Sequence, residues 1–145
     1  MENNGRMTMR ILSKLNTGKH GNRPSRDRSG HVKSLDELAL KPNQRNALEE
    51  ARQRLAAEFG VRDLVLFGSA ARGQDDAESD LDLLVLVPRP FTRRWRHGIT
   101  DAVFEVNLKY GTNLSTLVVE RKVWEKGPYS VLPIHAEIAR EGIPL

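Results

Sequence analysis

Two carboxylates, Asp80 and Asp82, stand two positions apart in the run Ser79-Asp80-Leu81-Asp82-Leu83-Leu84-Val85-Leu86-Val87. A strand has a side-chain period of two. A strand here therefore points both acids to one face and Leu81, Leu83 and Val85 to the other. Neighbouring carboxylates repel at neutral pH, and a divalent cation is the simplest way to relieve them. Hard oxygen donors suit Mg²⁺, which usually bridges to substrate phosphates. Just upstream stands Leu66-Phe67-Gly68-Ser69-Ala70-Ala71-Arg72-Gly73. Gly68 permits a turn with no Cβ penalty, and Ser69 is placed to cap a short helix. Free N–H groups at a helix start attract anions. Arg72, one turn on, offers a planar fork to a phosphate. Gly73 lets the backbone turn away or lie close to a ligand. The candidate phosphate-binding residues are thus Gly68, Ser69, Arg72 and Gly73, and the candidate catalytic and metal-holding residues are Asp80 and Asp82. The combination points to phosphoryl or nucleotidyl transfer by positioning and charge neutralisation.

Neither the P-loop pattern G-x-x-x-x-G-K-[ST] nor the dinucleotide pattern G-x-G-x-x-G is present. The segment Gly68-Ser69-x-x-Arg72-Gly73 with Ser79-Asp80-x-Asp82-Leu83 resembles the signature of the polymerase-beta-like nucleotidyltransferases, and most of all their minimal prokaryotic branch. The likeness extends more loosely from Asn46 to Leu145 and leaves out the first forty residues. It implies an α/β fold of α+β type, a small mixed sheet with helices packed against one side. It also implies that Ser69 contacts the triphosphate and that Asp80 and Asp82 hold two Mg²⁺ ions. In-line attack of a hydroxyl would then leave a nucleoside monophosphate, expected to be AMP from ATP, on a protein or small-molecule acceptor. Members of this branch often pair with a small helical protein in toxin–antitoxin arrangements, so such a partner or a homodimer is a further expectation.

The family usually supplies a third carboxylate from a later strand. Here that strand is Leu114-Ser115-Thr116-Leu117-Val118-Val119, and the expected position, Ser115 or Thr116, is not acidic. Glu120 has the parity of Thr116, but four strand residues span about 13 Å. Asp101 and Glu105, on a helix nearby, are a weaker possibility. The departure opens a second reading, a nucleotide-binding interaction module with weakened turnover.

The elements that must position these groups are legible as patterns. Pro42 starts a helix to about Glu58 whose buried face is Leu48, Ala51, Leu55 and Phe59, with Arg45, Glu49, Arg52 and Arg54 facing solvent. Gly60 ends it, and the first strand runs from Val61 to Phe67. The polar loop Gln74-Asp75-Asp76-Ala77-Glu78 leads to the second strand. Phe91 to Tyr110 carries a helical stripe of Trp95, Ile99, Ala102 or Val103, Val106 and Tyr110. Trp95 reads as core, with base stacking the alternative. Arg93, Arg94 and Arg96 have two readings, phosphate neutralisation near the substrate or a solvated basic turn. A last helix covers Tyr129 to Arg140, bent or restarted at Pro133, with Val131, Ile134 and Ile138 as core contacts and His135 on its surface. Ile143-Pro144-Leu145 is apolar enough to tuck back or meet a partner.

Composition bounds the rest. The chain has 145 residues and no cysteine, which excludes a disulfide framework and a thiolate zinc site. It fits a reducing cytoplasm. No apolar run approaches a membrane span, and no signal-peptide core is present. The net charge of +4 is uneven: residues 1–45 carry ten Lys or Arg against four Asp or Glu, and the remainder thirteen against fifteen. Residues 1–40 therefore read as a basic, largely flexible extension, with a short amphipathic segment from Met7 to Leu15, and residues 41–145 as the nucleotidyltransferase-like domain. A third reading, an RNA-binding or RNA-modifying protein, rests on that basic extension alone.

Overall fold

The computed structural model describes residues 34–73 and 80–145. Readings that fall on residues 1–33, on the loop 74–78 and on Ser79 lie outside the described residues. A 3₁₀ turn (Leu35–Glu37) leads to α1 (Pro42–Phe59), β1 (Asp63–Phe67), β2 (Leu81–Val87), α2 (Arg93–Tyr110) and β3 (Leu114–Glu120). The short α3 (Arg121–Lys126), a 3₁₀ turn (Pro128–Val131), α4 (Pro133–Glu141) and β4 (Ile143–Pro144) complete the chain.

The sheet order is β3-β2-β1-β4. β1 runs antiparallel to β2 and to β4, and β2 runs parallel to β3 across the α2 crossover. The sheet is thus mixed, as expected. Strand alternation gives it two apolar faces. Leu64, Leu66, Leu81, Leu83, Val85 and Val87 pack with Leu48, Ala51 and Leu55 of α1 and Ile99, Val103 and Val106 of α2. Val65, Leu84, Leu86 and Val119 meet Trp124, Ile138 and Ala139. The long helices lie on one side of the sheet, and the short α3 and α4 add a layer on the other.

Local rules explain the element ends. Gly60 closes α1 at φ +66°, and Thr92 caps α2 by accepting from the Trp95 N–H at 3.1 Å. Pro133 restarts a helix instead of bending one, because it fills the first helical position, where no N–H is needed. Several details differ from the sequence reading. Arg45, expected to face solvent, reaches back and donates to the Leu35 and Leu38 carbonyls at 3.3 and 2.5 Å. Leu38 and Leu40 are buried with α1. Val131 is 84% exposed and takes no part in the core. The terminal Ile143-Pro144-Leu145 does tuck back, as a strand on β1. Ile143 pairs with Leu66 and the Leu145 N–H reaches the Leu64 carbonyl at 3.0 Å. Gly142 makes this return possible, since a Cβ there would strike the Ile138 carbonyl and Val65. Among the described residues no helix is long and apolar enough to cross a membrane.

Candidate functional site

β1 ends at Phe67, in register with Asp82 of β2, so the turn that follows β1 lies against the acidic start of β2. Gly68 makes that approach at φ +79°, and a Cβ on it would fall on Asp82 Oδ2. A Cβ there would have to push the Asp82 carboxylate aside, and the positive φ disfavours any L side chain in addition.

The segment after Gly68 is a turn and not the short helix its sequence suggested. It closes with the Arg72 N–H on the Gly68 carbonyl at 3.2 Å and the Gly73 N–H on the Ala70 carbonyl at 3.1 Å. Ala70 and Ala71 are each 1% exposed and join the α1–α2 core. Ser69 is half-buried between them and Gly68. The turn leaves at Gly73, φ +71°.

Asp80 lies just before β2 and is exposed, while Asp82 is half-buried within it. Burial raises the Asp82 carboxyl above the ordinary carboxylate range, and the charge of Asp80 adds to the effect. Glu137 pushes in the same direction and Arg72 opposes it. The acidic pair is thus under electrostatic strain, which a bound cation would relieve. Its oxygen donors suit Mg²⁺, with phosphate and water oxygens completing the shell. Among the described residues, no set of three His, Asp or Glu side chains is placed to hold a metal ion.

The parallel register sets Ser115 beside Asp82 and Thr116 beside Leu83. Ser115 therefore occupies the strand position where a third carboxylate would share the face of Asp82. Glu120 pairs with Val87 at the far end of the strands. Glu105 is turned toward Arg54 of α1 at 2.8 Å, and Asp101 is exposed on α2.

Arg72 has a different setting from the one its spacing suggested. Its Nη1 donates to Glu137 Oε1 at 3.0 Å and to Glu141 Oε2 at 3.1 Å, both on α4. Arg93, Arg94 and Arg96 lie at the start of α2, beyond the C-terminal end of β2, about 20 Å of strand away from Asp82. They do not line the acidic site. A cleft of about 380 Å³ opens at that far end, lined by Val87, Arg89, Pro90, Phe91, Thr92 and Trp95. Trp95 itself packs edge-on against Phe59 at 5.4 Å and on Phe91 at 5.6 Å, which is the core role.

Asparagines of the α2–β3 connection went unnoticed in the sequence. Asn113 Nδ2 donates to Asp80 Oδ1, and the Leu81 N–H donates to the Asn113 carbonyl at 3.0 Å. Asn107 fixes that connection: its amide oxygen accepts from the Leu114 N–H at 2.8 Å, and its Nδ2 donates to the Leu114 carbonyl at 3.1 Å. For Asn113 the signal available was its place, immediately before the strand that runs beside the two aspartates, whereas Asn107 stands in the last turn of α2. Asn107 and Asn113 also line a cleft of about 400 Å³ beside Asp80, with Ser115, Thr116 and Phe104.

Residues 48–137 match the nucleotidyltransferase domain family. The chain is also similar to three proteins of Methanocaldococcus jannaschii, each carrying the name "putative protein adenylyltransferase". One is 40% identical over 79 residues, covering 52% of this chain and 54% of the relative. The second is 35% identical over 60 residues, covering 41% and 61%. The third is 28% identical over 86 residues, covering 58% and 81%. The chain thus spans little more than half the length of the first two.

Proposed function

Because this chain belongs to the nucleotidyltransferase domain family, we propose that it transfers a nucleoside monophosphate, AMP from ATP, to a hydroxyl group of a protein. The observation that carries this reading is the contact of Gly68 with Asp82. It sets a turn with phosphate-binding chemistry directly against a strained carboxylate pair. The names of the three relatives support the choice of adenylyl group and protein acceptor.

In this reading the backbone N–H groups around Ser69 and the Ser69 hydroxyl hold the triphosphate. Asp80 and Asp82 hold Mg²⁺, which when bound supplies neutralisation of the phosphate charge. Asn113 fixes the Asp80 carboxylate, and Asn107 fixes the strand start from which Asn113 acts. The cleft beside Asp80 admits the acceptor. The acceptor oxygen bonds to the α-phosphorus as the bond to the pyrophosphate oxygen breaks. The hydroxyl proton passes to solvent and pyrophosphate departs.

The test is incubation of the full chain with Mg²⁺ and ATP labelled on the α-phosphate, in the presence of a lysate as acceptor source. Label should enter protein with wild type and fail to enter with Asp80→Asn. Equal labelling by both would remove the reading. A second reading is favoured by one observation, Ser115 in the register position beside Asp82: a nucleotide-binding module with weak turnover. Asp80-dependent pyrophosphate release would count against it.

A further inference from the structure

Arg72 Nη1 is shared by two carboxylates one helical turn apart, Glu137 and Glu141. Burial alone would raise the Glu141 carboxyl, but the hydrogen bonds from Arg72 and Arg140 bring it below the ordinary range. Glu141 is only 18% exposed at its side chain, and it directly precedes Gly142 and the β4 strand that pairs with β1. Two routes therefore tie the end of β1 to the C-terminal segment. One is the backbone pairing of Ile143 with Leu66, and the other is the ion pair of Arg72 with Glu141 and Glu137. Between these ties lies the Gly68–Gly73 turn. Its other side is already pinned, because Ala70 and Ala71 are buried in the α1–α2 core. The family match ends at residue 137, so Glu141 and β4 lie beyond it.

We propose that Arg72 is a positioning residue, locked by Glu137 and Glu141 so that the Gly68–Gly73 turn is held in its phosphate-binding shape, and that it is not itself a phosphate ligand. The inference rests on the nucleotide-binding reading of the turn. Nη1 of Arg72 already spends its N–H groups on two carboxylates of a helix anchored through β4, and turning that nitrogen to a phosphate would break both bonds. Releasing it would strip Glu137 of this ion pair and leave Glu141 with Arg140, close to an incoming polyanion. The C-terminal helix is then part of the nucleotide site, although it carries no group that touches the nucleotide.

The two possible roles of Arg72 predict opposite signs for one variant. In full-length Glu137→Gln/Glu141→Gln the arginine loses both charged partners. A positioning arginine then lets the turn loosen, and Mg²⁺-ATP binds about tenfold more weakly, as it does in Arg72→Ala. The KM for ATP rises by the same factor while kcat stays within about twofold, a split that a mere loss of folded protein would not produce. A phosphate-binding arginine would instead be freed, and the double variant would bind Mg²⁺-ATP as tightly as wild type or more tightly, with Arg72→Ala still weak. That result overturns the proposal. A second measurement needs no nucleotide and stands even if the chain binds none. Amide hydrogen exchange at residues 69–73 should quicken at least tenfold in the double variant relative to wild type, while exchange in the centre of β2 does not change. Unchanged exchange at the turn would equally overturn it.

Discussion

Ser115 stands in register beside Asp82 on neighbouring parallel strands, so the two side chains share one face of the sheet at the acidic end. A carboxylate introduced at this position would lie where a later-strand acid can act with Asp80 and Asp82. Ser115→Asp is expected to raise the rate of Mg²⁺-dependent pyrophosphate release at least tenfold, the scale of one added general base. Steady-state pyrophosphate assays on wild type and variant check it. An unchanged or lower rate would show that this position does not limit turnover.

Gly68 combines a left-handed backbone with a Cβ position that the Asp82 carboxylate occupies. Gly68→Ala is expected to cost about 2 kcal/mol of stability, the sum of backbone strain and a displaced Asp82. It should also lower Mg²⁺-ATP affinity more than tenfold. Urea denaturation and calorimetry measure the two effects separately. Gly73 has the same backbone sign, but among the described residues nothing lies near a Cβ built on it, so Gly73→Ala should show strain without the loss of affinity.

Asp82 carries a stability cost that follows from its pKa. Its folded value lies above the ordinary 3.8, first through burial and then through Asp80. An acid with a raised folded pKa favours the folded state most at low pH, and that contribution is lost as pH rises through the folded value. At pH 7 the ionised group therefore opposes folding. Asp82→Asn is expected to raise the melting temperature at pH 7 by about 2 °C while removing transfer. The gain should shrink as pH falls through the raised folded value and below the ordinary 3.8, as the wild-type carboxyl takes up its proton. Thermal melts across this range test it, and a variant less stable than wild type at pH 7 would contradict it.

Asp63 is fully buried at the start of β1 and is paired with Arg121, the first residue of α3. Breaking such a pair leaves an uncompensated buried charge. Asp63→Ala is expected to cost about 3–5 kcal/mol, whereas the apolar double replacement Asp63→Leu/Arg121→Met should be close to neutral. Denaturant titration of the three proteins decides this. Equal losses in the single and double variants would show that packing, and not the unpaired charge, sets the cost.

The sequence was most informative where local pattern and chemistry coincide. Alternation predicted Asp80 and Asp82 on one face, and the structure has Asp82 in β2 with Asp80 just before it; the three-to-four spacing of Leu48, Ala51 and Leu55 or of Ile99, Val103 and Val106 marked the faces that α1 and α2 bury. The position lacking a third acid could be narrowed to Ser115 or Thr116, and the register resolves it to Ser115. What lay hidden depends on distance along the chain. The partners of Arg72 are 65 and 69 residues away, and nothing local in either segment announces the pairing. The β4 strand is two residues long and contains a proline, a poor strand signal that only an edge position tolerates. The turn after Gly68 read as a helix because its residues favour one, but Gly73 turns left-handed before a second turn can form. His135, expected on the surface, is half-buried with its ring against Trp124 at 4.7 Å.

The proposed function requires the Gly68 turn and the Asp80–Asp82 pair to form one nucleotide site. Calorimetric titration of the full chain with Mg²⁺-ATP, repeated with Asp82→Asn and with a chelator in place of Mg²⁺, tests it most directly. Saturable binding by wild type that falls at least tenfold in both other conditions is the predicted result. Binding that is indifferent to Asp82 and to metal, or no binding of any nucleoside triphosphate, would contradict it.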